Sequence, residues 1–328
     1  MTEKSGNTGF ICMAIYKPNP DLLRIQIESL RRQTMSDWRC LVGIDGTDAA
    51  VESLIRDLVS GDPRFTVVPF EERAGFYRNF ERILGLVPDA ALWVALSDQD
   101  DEWKPEKIAV LLPYLQKSSL VQGQARVRRH GDITSPSEPE SITDRRSVGL
   151  AAMLIDNQVT GSLALFRGAL LRRALPFPPP TDLAFHDHWL AVCATLEEGV
   201  RVLPDVVQDY VQHDGNVIGE MTNNRLSGRF RHLRSVSNGS VSGQLNYLRQ
   251  HRWGWRVHMA RTAIVRYPYL TKSQARHLVM YAENRFTIGL MAAYALVCLS
   301  RQAPVARSMA LVLGSLRLPR THQPEARV

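Results

Sequence analysis

The feature that most limits what this chain can fold into is an alternation over its first 127 residues. Short apolar runs take turns with longer runs of helical period. Phe10 to Tyr16, Trp38 to Ile44, Phe65 to Phe70 and Ala91 to Leu96 read as strands. Between them, Leu23, Ile27 and Leu30 recur at helical spacing, as do Val51, Leu54, Ile55 and Leu58 and then Phe76, Phe80, Ile83, Leu84 and Val87. Asn19 before Pro20 reads as an N-cap followed by a first-turn proline. The run Ala91 to Leu96 has no polar interruption, as a strand buried on both faces requires. Repeated β-α-β predicts an α/β fold, a mostly parallel, Rossmann-like central sheet flanked by helices. Ligands bind such sheets beyond the carboxyl ends of the strands. Two strands stop at acidic residues, Asp45/Asp48 and Asp98/Asp100/Asp101, so both clusters should share one rim.

Further on, Leu120 to Val127, Val200 to Leu203 and Val206 to Val211 read as strands. The polar stretch from Arg128 to Arg146, with Pro136 and Pro139, reads as a mobile surface loop. From about Asn223 the chain becomes Arg-rich and mainly helical in pattern. This predicts two regions, a catalytic domain over residues 1–222 and a basic helical region over 223–328.

The chemistry concentrates at Asp98-x-Asp100. Two carboxylates on a strand-end turn can converge on one hard divalent cation, and oxygen ligands suit Mg²⁺ or Mn²⁺. Such an ion would neutralise the diphosphate of a nucleotide leaving group. By itself the pattern is weak, because acidic turns after strands are common. The histidines His186, His188 and His213 could be read as a zinc cluster, but H-x-H spacing with no nearby cysteine argues against it. Trp103 and Trp189 read as packing residues.

Several segments together carry a family resemblance. "IQIESLRRQT" (Ile25 to Thr34) followed by Asp37-Trp38 resembles the first helix of family 2 glycosyltransferases with the GT-A fold. "GFYRNFERIL" (Gly75 to Leu84), "LSDQDDEWKPEKI" (Leu96 to Ile108), "HDHWLA" (His186 to Ala191) and "YVQHDGNVIG" (Tyr210 to Gly219) follow in the same order. The last three resemble the rhamnosyltransferase-type branch. The resemblance implies an inverting transferase that takes a sugar from a nucleotide-sugar donor. It implies Asp187 as catalytic base, removing the acceptor's proton as its oxygen attacks the anomeric carbon. It implies Tyr16, Asp45, Arg78, Asn79 and Asp98 around the donor, and Asp100 with His213 on the metal. Asp101 reads as a helix cap or an assisting carboxylate, Asp187 also as an N-cap, and Gly161, His186 and Trp189 as acceptor-side or supporting residues. Where the family often has T-Y-N this chain has Ile15-Tyr16-Lys17, and where it has D-D-G-S-T-D this chain has Ile44-Asp45-Gly46-Thr47-Asp48. Both departures fall at the nucleoside pocket.

Charge divides the chain. Residues 226–328 hold 16 Lys and Arg against 2 Asp and Glu, whereas residues 1–225 hold 24 against 31. So basic a tail predicts peripheral contact with anionic membrane, where each Lys or Arg contributes about 1 kcal/mol. It fits a lipid-linked saccharide or other cell-surface glycan as acceptor, as in O-antigen assembly. Nucleic acid is not expected, although Trp253 and Trp255 among arginines could stack on bases, because no nucleic-acid motif is present. Ile288 to Leu299 is apolar but about two-thirds of a span, suited to an interface or to packing on the domain. The four scattered cysteines fit a reduced compartment, and Met1 to Gly9 lacks the features of a signal peptide. The expectation is a cytoplasmic protein at the inner membrane face. Two other readings stay open: a UDP-glucose or UDP-galactose transferase of the same fold, and a non-catalytic basic membrane- or nucleic-acid-binding protein on a degenerate transferase scaffold. A nucleotidyltransferase would need a Gly-rich phosphate loop near the first strand, and Ala14 to Asp21 has none.

Overall fold

A computed structural model of the chain describes residues 8–129, 141–181, 184–212, 240–284 and 288–315. The front of the chain runs β1 (Gly9–Ile15), α1 (Pro20–Arg31), β2 (Trp38–Asp45), α2 (Ala49–Val59), β3 (Phe65–Phe70) and α3 (Gly75–Leu84). It continues through β4 (Trp93–Ser97), β5 (Glu102–Trp103), α4 (Lys107–Leu111), β6 (Leu120–Arg129), β7 (Ser141–Ile142) and α5 (Leu150–Ile155). Then come β8 (Ala164–Arg167), α6 (Leu171–Ala174), α7 (His186–Leu196) and β9 (Val200–Gln212). The last described helices are α8 (Val241–Tyr247), α9 (Gly254–Arg266), α10 (Lys272–Ala282), α11 (Ile288–Leu299) and α12 (Val305–Ser315).

The strands form one sheet in the order β3-β2-β1-β4-β8-β6-β9-β5, with β7 paired to β6. β1 is parallel to β2 and β4, β2 to β3, and β6 to β9, while β8 runs antiparallel between β4 and β6. The predicted α/β architecture with a mostly parallel sheet and a helical C-terminal region is therefore what forms. Because β2, β1 and β4 are parallel neighbours, Asp45 and Asp98 do lie on one rim.

The sheet separates two apolar layers by simple alternation. Phe10 and Cys12 of β1, with Val94 and Leu96 of β4, face a layer that includes α3, α5, α7 and α9. Ile11, Met13 and Ile15, with Trp93 and Ala95, face the layer of α1 and α2. In α1 the Asn19 carboxamide accepts from Asp21 N and Leu22 N, and Leu22, Leu23, Ile27 and Leu30 are buried. Each such side chain contributes about 1.5–3 kcal/mol on leaving water.

Three local expectations are corrected. Val200–Gln212 is one strand, not two, because Pro204 lacks an N–H and is absorbed in a bulge: the register with β6 shifts between Gln122 and Gln124. Ser141–Ile142, within the stretch expected to be a loop, instead pairs with Arg126 and Val127 of β6. Trp253 and Trp255 cannot stack on bases: they are 1% and 0% exposed within the same apolar layer as Trp189 and Phe166. The Trp255 indole donates to His188 Nδ1 at 3.3 Å, and the other ring nitrogen of His188 lies 2.8 Å from Met153 O. His188 is thus a satisfied, neutral core histidine; burial, first of all, pulls its pKa well down. All four cysteines are free thiols.

The packing that sets α3 against the sheet gives a first test. A Cβ on Gly43 would sit 2.3 Å from Ile83 Cγ1, and Gly43 O accepts from Asn79 Nδ2 at 3.1 Å. Gly43→Ala should cost about 1–3 kcal/mol in urea unfolding, the range for overpacking a tight core.

Candidate active site

The site grows from the end of β4. Ser97 Oγ accepts from Gln26 Nε2 of α1 and donates to Asp98 O, both at 2.9 Å. Gln99 is clamped to the backbone of Tyr16: its Oε1 accepts from Tyr16 N at 2.9 Å and its Nε2 donates to Tyr16 O at 3.1 Å. The turn after β4 is therefore fixed to the end of β1 at two points, both through Gln99.

Asp101 is not a helix cap. α4 starts at Lys107 with Glu106 before it and no side-chain cap. Asp101 instead points into the core, where Gln208 Nε2 of β9 donates to it at 2.6 Å and Val211 N at 3.4 Å. Lys107, fully buried, donates to Ser162 O and to Gln208 Oε1 at 3.0 Å, with its ammonium 3.4 Å from the centre of the Trp103 ring. Burial pulls the Lys107 ammonium down against the charges of Asp101 and Asp98, which favour it.

Above this layer lie Asp98 and Asp100. Burial pushes the Asp98 carboxyl up to about 7, and the negative charges of Asp100 and Asp187 add to the effect. Asp187 comes from the first turn of α7, whose N-cap is Phe185, so Asp187 is not the cap itself. Its carboxylate accepts from His188 N at 2.6 Å and from Asn157 Nδ2 at 3.1 Å. Burial is the main cause that raises it to about 6. Gly161 lets this wall close up: a Cβ there would lie 3.0 Å from His186 Nε2 and 3.5 Å from Asp187 Cβ. The His186 ring packs 4.1 Å from Phe80, burial drops its pKa to about 3, and its Nδ1 has no partner among the described residues. Trp189 is packing: its indole donates to Ala174 O at 2.8 Å.

Just past the end of β1, Tyr16 lies under Arg73, whose guanidinium is 4.2 Å from the ring centre. Lys17 takes φ +43°, a left-handed conformation in which Asn is favoured, so the Asn the family often carries there has a backbone reason. Asp45 is 5% exposed and accepts from Ala74 N at 2.7 Å, Gly75 N at 2.9 Å and Arg82 at 2.7 Å. It thereby caps α3 from outside, since Ala74 offers no side-chain cap. Asp48 caps α2, accepting from Ala50 N and Val51 N. Asn79 is buried between Gly43 O and Arg82, while Arg78 pairs with Glu81 and stays partly exposed. The structure thus brings Asp98, Asp100 and Asp187 together, places Tyr16 and Asp45 on the neighbouring strand ends, and commits Asp45 and Asn79 to internal contacts. His213 lies outside the described residues. Arg73, Lys107, Asn157 and Gln208 are further participants that the motifs did not single out.

Among the described residues no cluster of three or more His, Cys, Asp or Glu forms a ready-made metal cage. The donor set still fits a hard cation. Mg²⁺ commonly uses one or two carboxylates plus substrate phosphates. Burial, first of all, raises the Asp98 carboxyl, and the nearby charges of Asp100 and Asp187 add to it, so a cation bound there would favour the ionised form.

Residues 10–173 match the family Glycosyl transferase family 2. The chain belongs to that family, and its fold is GT-A-like. It is similar to S. aureus TarS 1-349 in complex with UDP-GlcNAc, at 12% identity, covering 94% of this chain and 88% of that one, with a TM-score of 0.54. TarS 1-349 without that ligand gives 12% identity over the same shares and a TM-score of 0.51. An uncharacterized protein, y4gI of Sinorhizobium fredii, is 28% identical over 132 residues, which is 37% of this chain. The matched segment spans only 14% of that relative's length.

The charge at Asp98 yields a prediction. Its carboxyl is raised from 3.8 to about 7, so between those values the folded protein binds the proton more tightly than the unfolded chain. That contribution favours the fold at acid pH and is lost as pH rises through 7, where the site is fully charged. Mn²⁺ should therefore raise Tm more near about pH 8 than near about pH 5, and the rise should shrink in Asp100→Ala, as scanning calorimetry would register.

Proposed function

We propose that this chain is an inverting glycosyltransferase in which Asp187 is the general base and Asp98 and Asp100 face the donor diphosphate. The observation that carries this reading is the electrostatic meeting of Asp187 with the Asp98/Asp100 turn. Base and diphosphate site must flank a single anomeric carbon, and here two distant segments, the end of β4 and the start of α7, supply them.

Asp187 suits the role chemically. A carboxylate with a pKa near 6 is mostly ionised at neutral pH yet basic enough to share a proton with an attacking hydroxyl. Asn157 and the His188 amide hold one oxygen, Oδ1, and thereby orient the group. His186 stays neutral beside it, so it neither competes for the proton nor lowers the base through charge. Asp98 and Asp100 would hold Mg²⁺ or Mn²⁺, which when bound supplies counter-charge to the diphosphate leaving group. The Gln99 clamp keeps those carboxylates on the same rim as Tyr16, whose ring, with Arg73 against it, forms a flat, cationic wall suited to a nucleoside diphosphate.

TarS binds UDP-GlcNAc on a similar fold, which supports a nucleotide-sugar as the donor class. Rhamnose from dTDP-rhamnose is the sugar that the SDQDD-x-W and HD-x-W segments favour, with a cell-surface glycan or lipid-linked oligosaccharide as acceptor. UDP-glucose or UDP-galactose is the second reading, favoured by the shortened loop at Asp45-Gly46-Thr47-Asp48, which changes the nucleoside pocket.

Calorimetry against dTDP-rhamnose, UDP-glucose, UDP-galactose and GDP-mannose, with and without Mn²⁺, separates these. One donor should bind in a metal-dependent way, and Asp100→Ala should abolish that dependence. Binding of none of them with either protein would sink the reading. Asp187→Asn should lower kcat by about 10²- to 10⁴-fold at little cost in donor affinity. Because the base must be ionised, kcat/KM of the wild type should fall as pH drops through about 6. In Asp187→Asn the part of that limb near 6 should be lost, leaving only the weakening of metal binding as Asp98 takes up its proton near 7.

A further inference from the structure

The C-terminal helices present a surface that the chemistry of the cleft does not explain. Of the fifteen large apolar side chains exposed among the described residues, ten lie beyond residue 240. Six of these form two stripes. Met291, Leu296 and Leu299 line one side of α11, and Val305, Met309 and Leu313 recur every fourth residue on α12. Leu296 is 68% and Leu299 81% exposed. α11, IGLMAAYALVCL, carries no charged residue on any side. Such a helix is ordinarily enclosed. Here Tyr294 and Val297 are buried against the protein, and the opposite side meets solvent. Exposed apolar surface of this extent marks a contact still to be made.

What would cover it is indicated by charge. A groove of about 430 Å³ runs between α10 and α11, with Lys272, Arg276 and His277 on one wall and Ala292, Leu296 and Val297 on the other. No acidic residue lines it. A second copy of this chain would bring like charges together across the contact. A nucleic acid would gain from the cations but not from the apolar stripes, and Trp253 and Trp255 are buried away from any base. Anionic lipid matches both: phosphates at the basic wall and acyl chains along the stripes. The geometry of the helices sets how they would lie. Twelve residues of α11 make about 18 Å of helix, against the ~30 Å of a bilayer core. None of the described helices is long and apolar enough to cross a membrane. The pair must then rest in the plane of the interface, apolar side down.

We propose that the exposed face of α11 and α12, with the basic wall of α10, is a docking surface for an anionic bilayer. The surface is tied mechanically to the catalytic base. Arg307 of α12 pairs with Asp156 at 3.0 Å, and the next residue, Asn157, is the one that holds Asp187. Buried Arg256 of α9 donates to Leu154 O and Ile155 O, closing the C-terminal end of α5 just before that pair. Ala151 of α5 lines the groove itself. On the transferase reading, docking brings the acceptor side of the cleft to the lipid surface, and the acceptor is membrane-borne. The docking itself is independent of that reading.

The experiment is co-sedimentation of the full chain with phosphatidylcholine vesicles, pure or containing about a third phosphatidylglycerol, where each basic side chain at the surface is worth about a fivefold change in partitioning. The wild type should pellet with the anionic vesicles and at least tenfold less with the neutral ones. Leu296→Asp/Leu299→Asp and Lys272→Glu/Arg276→Glu should each lose more than about tenfold of that partitioning. Circular dichroism and thermal melting, unchanged from wild type, would show that both variants are folded. Equal pelleting of wild type and both variants would overturn the proposal. So would loss in the basic variant alone, since binding would then be electrostatic without insertion. A concentration-dependent dimer that Leu296→Asp/Leu299→Asp abolishes, with no vesicle binding, would give the face to a second copy and also overturn it. Failure of nucleotide-sugar binding, by contrast, would overturn the transferase reading and leave the docking result standing.

Discussion

Placing several carboxylates within electrostatic reach of one another away from water is expensive, and the arrangement of this protein around the end of β4 answers that cost. Asp98, Asp100 and Asp101 follow one another within four residues, and Asp187 is brought to face them. The chain separates their tasks by direction. Asp101 turns inward to Gln208 and Val211, where buried Lys107 lies within its field. Asp98 and Asp100 are only partly buried, and Asp187 acts on Asp98 from across the site. Buried Lys107 sits against the inner part of the cluster, and the outer part is where the proposed metal and diphosphate would bring counter-charge. The same contacts join β9 to β4, so the far half of the sheet is held in place by the polar layer beneath the site.

That division was only partly legible in the sequence. The rim was legible, because a parallel β-α-β alternation forces strand ends to one side whatever the loops contain. The D-x-D pair and Asp187 were legible as segments in a characteristic order. Of the two readings of Asp101 the helix cap fails: a carboxylate shortly before a helix looks like a cap, and only the contact with Gln208, 107 residues away, reveals its inward orientation. Lys107 and Gln208 carried no local signal for the same reason. Their partners are remote in sequence, and a lysine within "KPEKI" reads as surface. Asn157 was equally silent, since nothing near it marks it as a hydrogen-bond partner of Asp187, 30 residues on. Asp45 shows the converse. Its placement at the rim was legible, but its occupation by the α3 amides and Arg82 was not, because capping from another element leaves no pattern in the helix it serves.

In the C-terminal region the same residue types serve opposite ends. Aromatics interleaved with arginines describe a surface that binds anions, and they equally describe a core whose arginines reach backbone carbonyls. Arg256 decides for the second in α9: buried, it donates to Leu154 O and Ile155 O while Trp255 reaches His188. Arg266 likewise donates to Arg173 O and Ala174 O. Part of the basic excess is therefore spent on closing the ends of α5 and α6. The remainder, at α10 and around the α11–α12 stripes, is what gives that end of the molecule its outward character.

The two uses meet at α5. This helix of six residues is too short to be stable alone, so its position depends on what grips it. α7 packs along it through the His188–Met153 contact, α9 closes its end through Arg256, and α12 fixes Asp156 through Arg307. Asn157 leaves this junction and reaches Asp187. A carboxylate used as a base must be held in orientation without being neutralised. The Asn157 amide orients it without adding a charge, and burial outweighs the lowering that Arg145 exerts through its field. Arg307 is kept one residue away, on Asp156, so the helices of the basic region can brace the proposed base while Arg307 pairs with Asp156 instead.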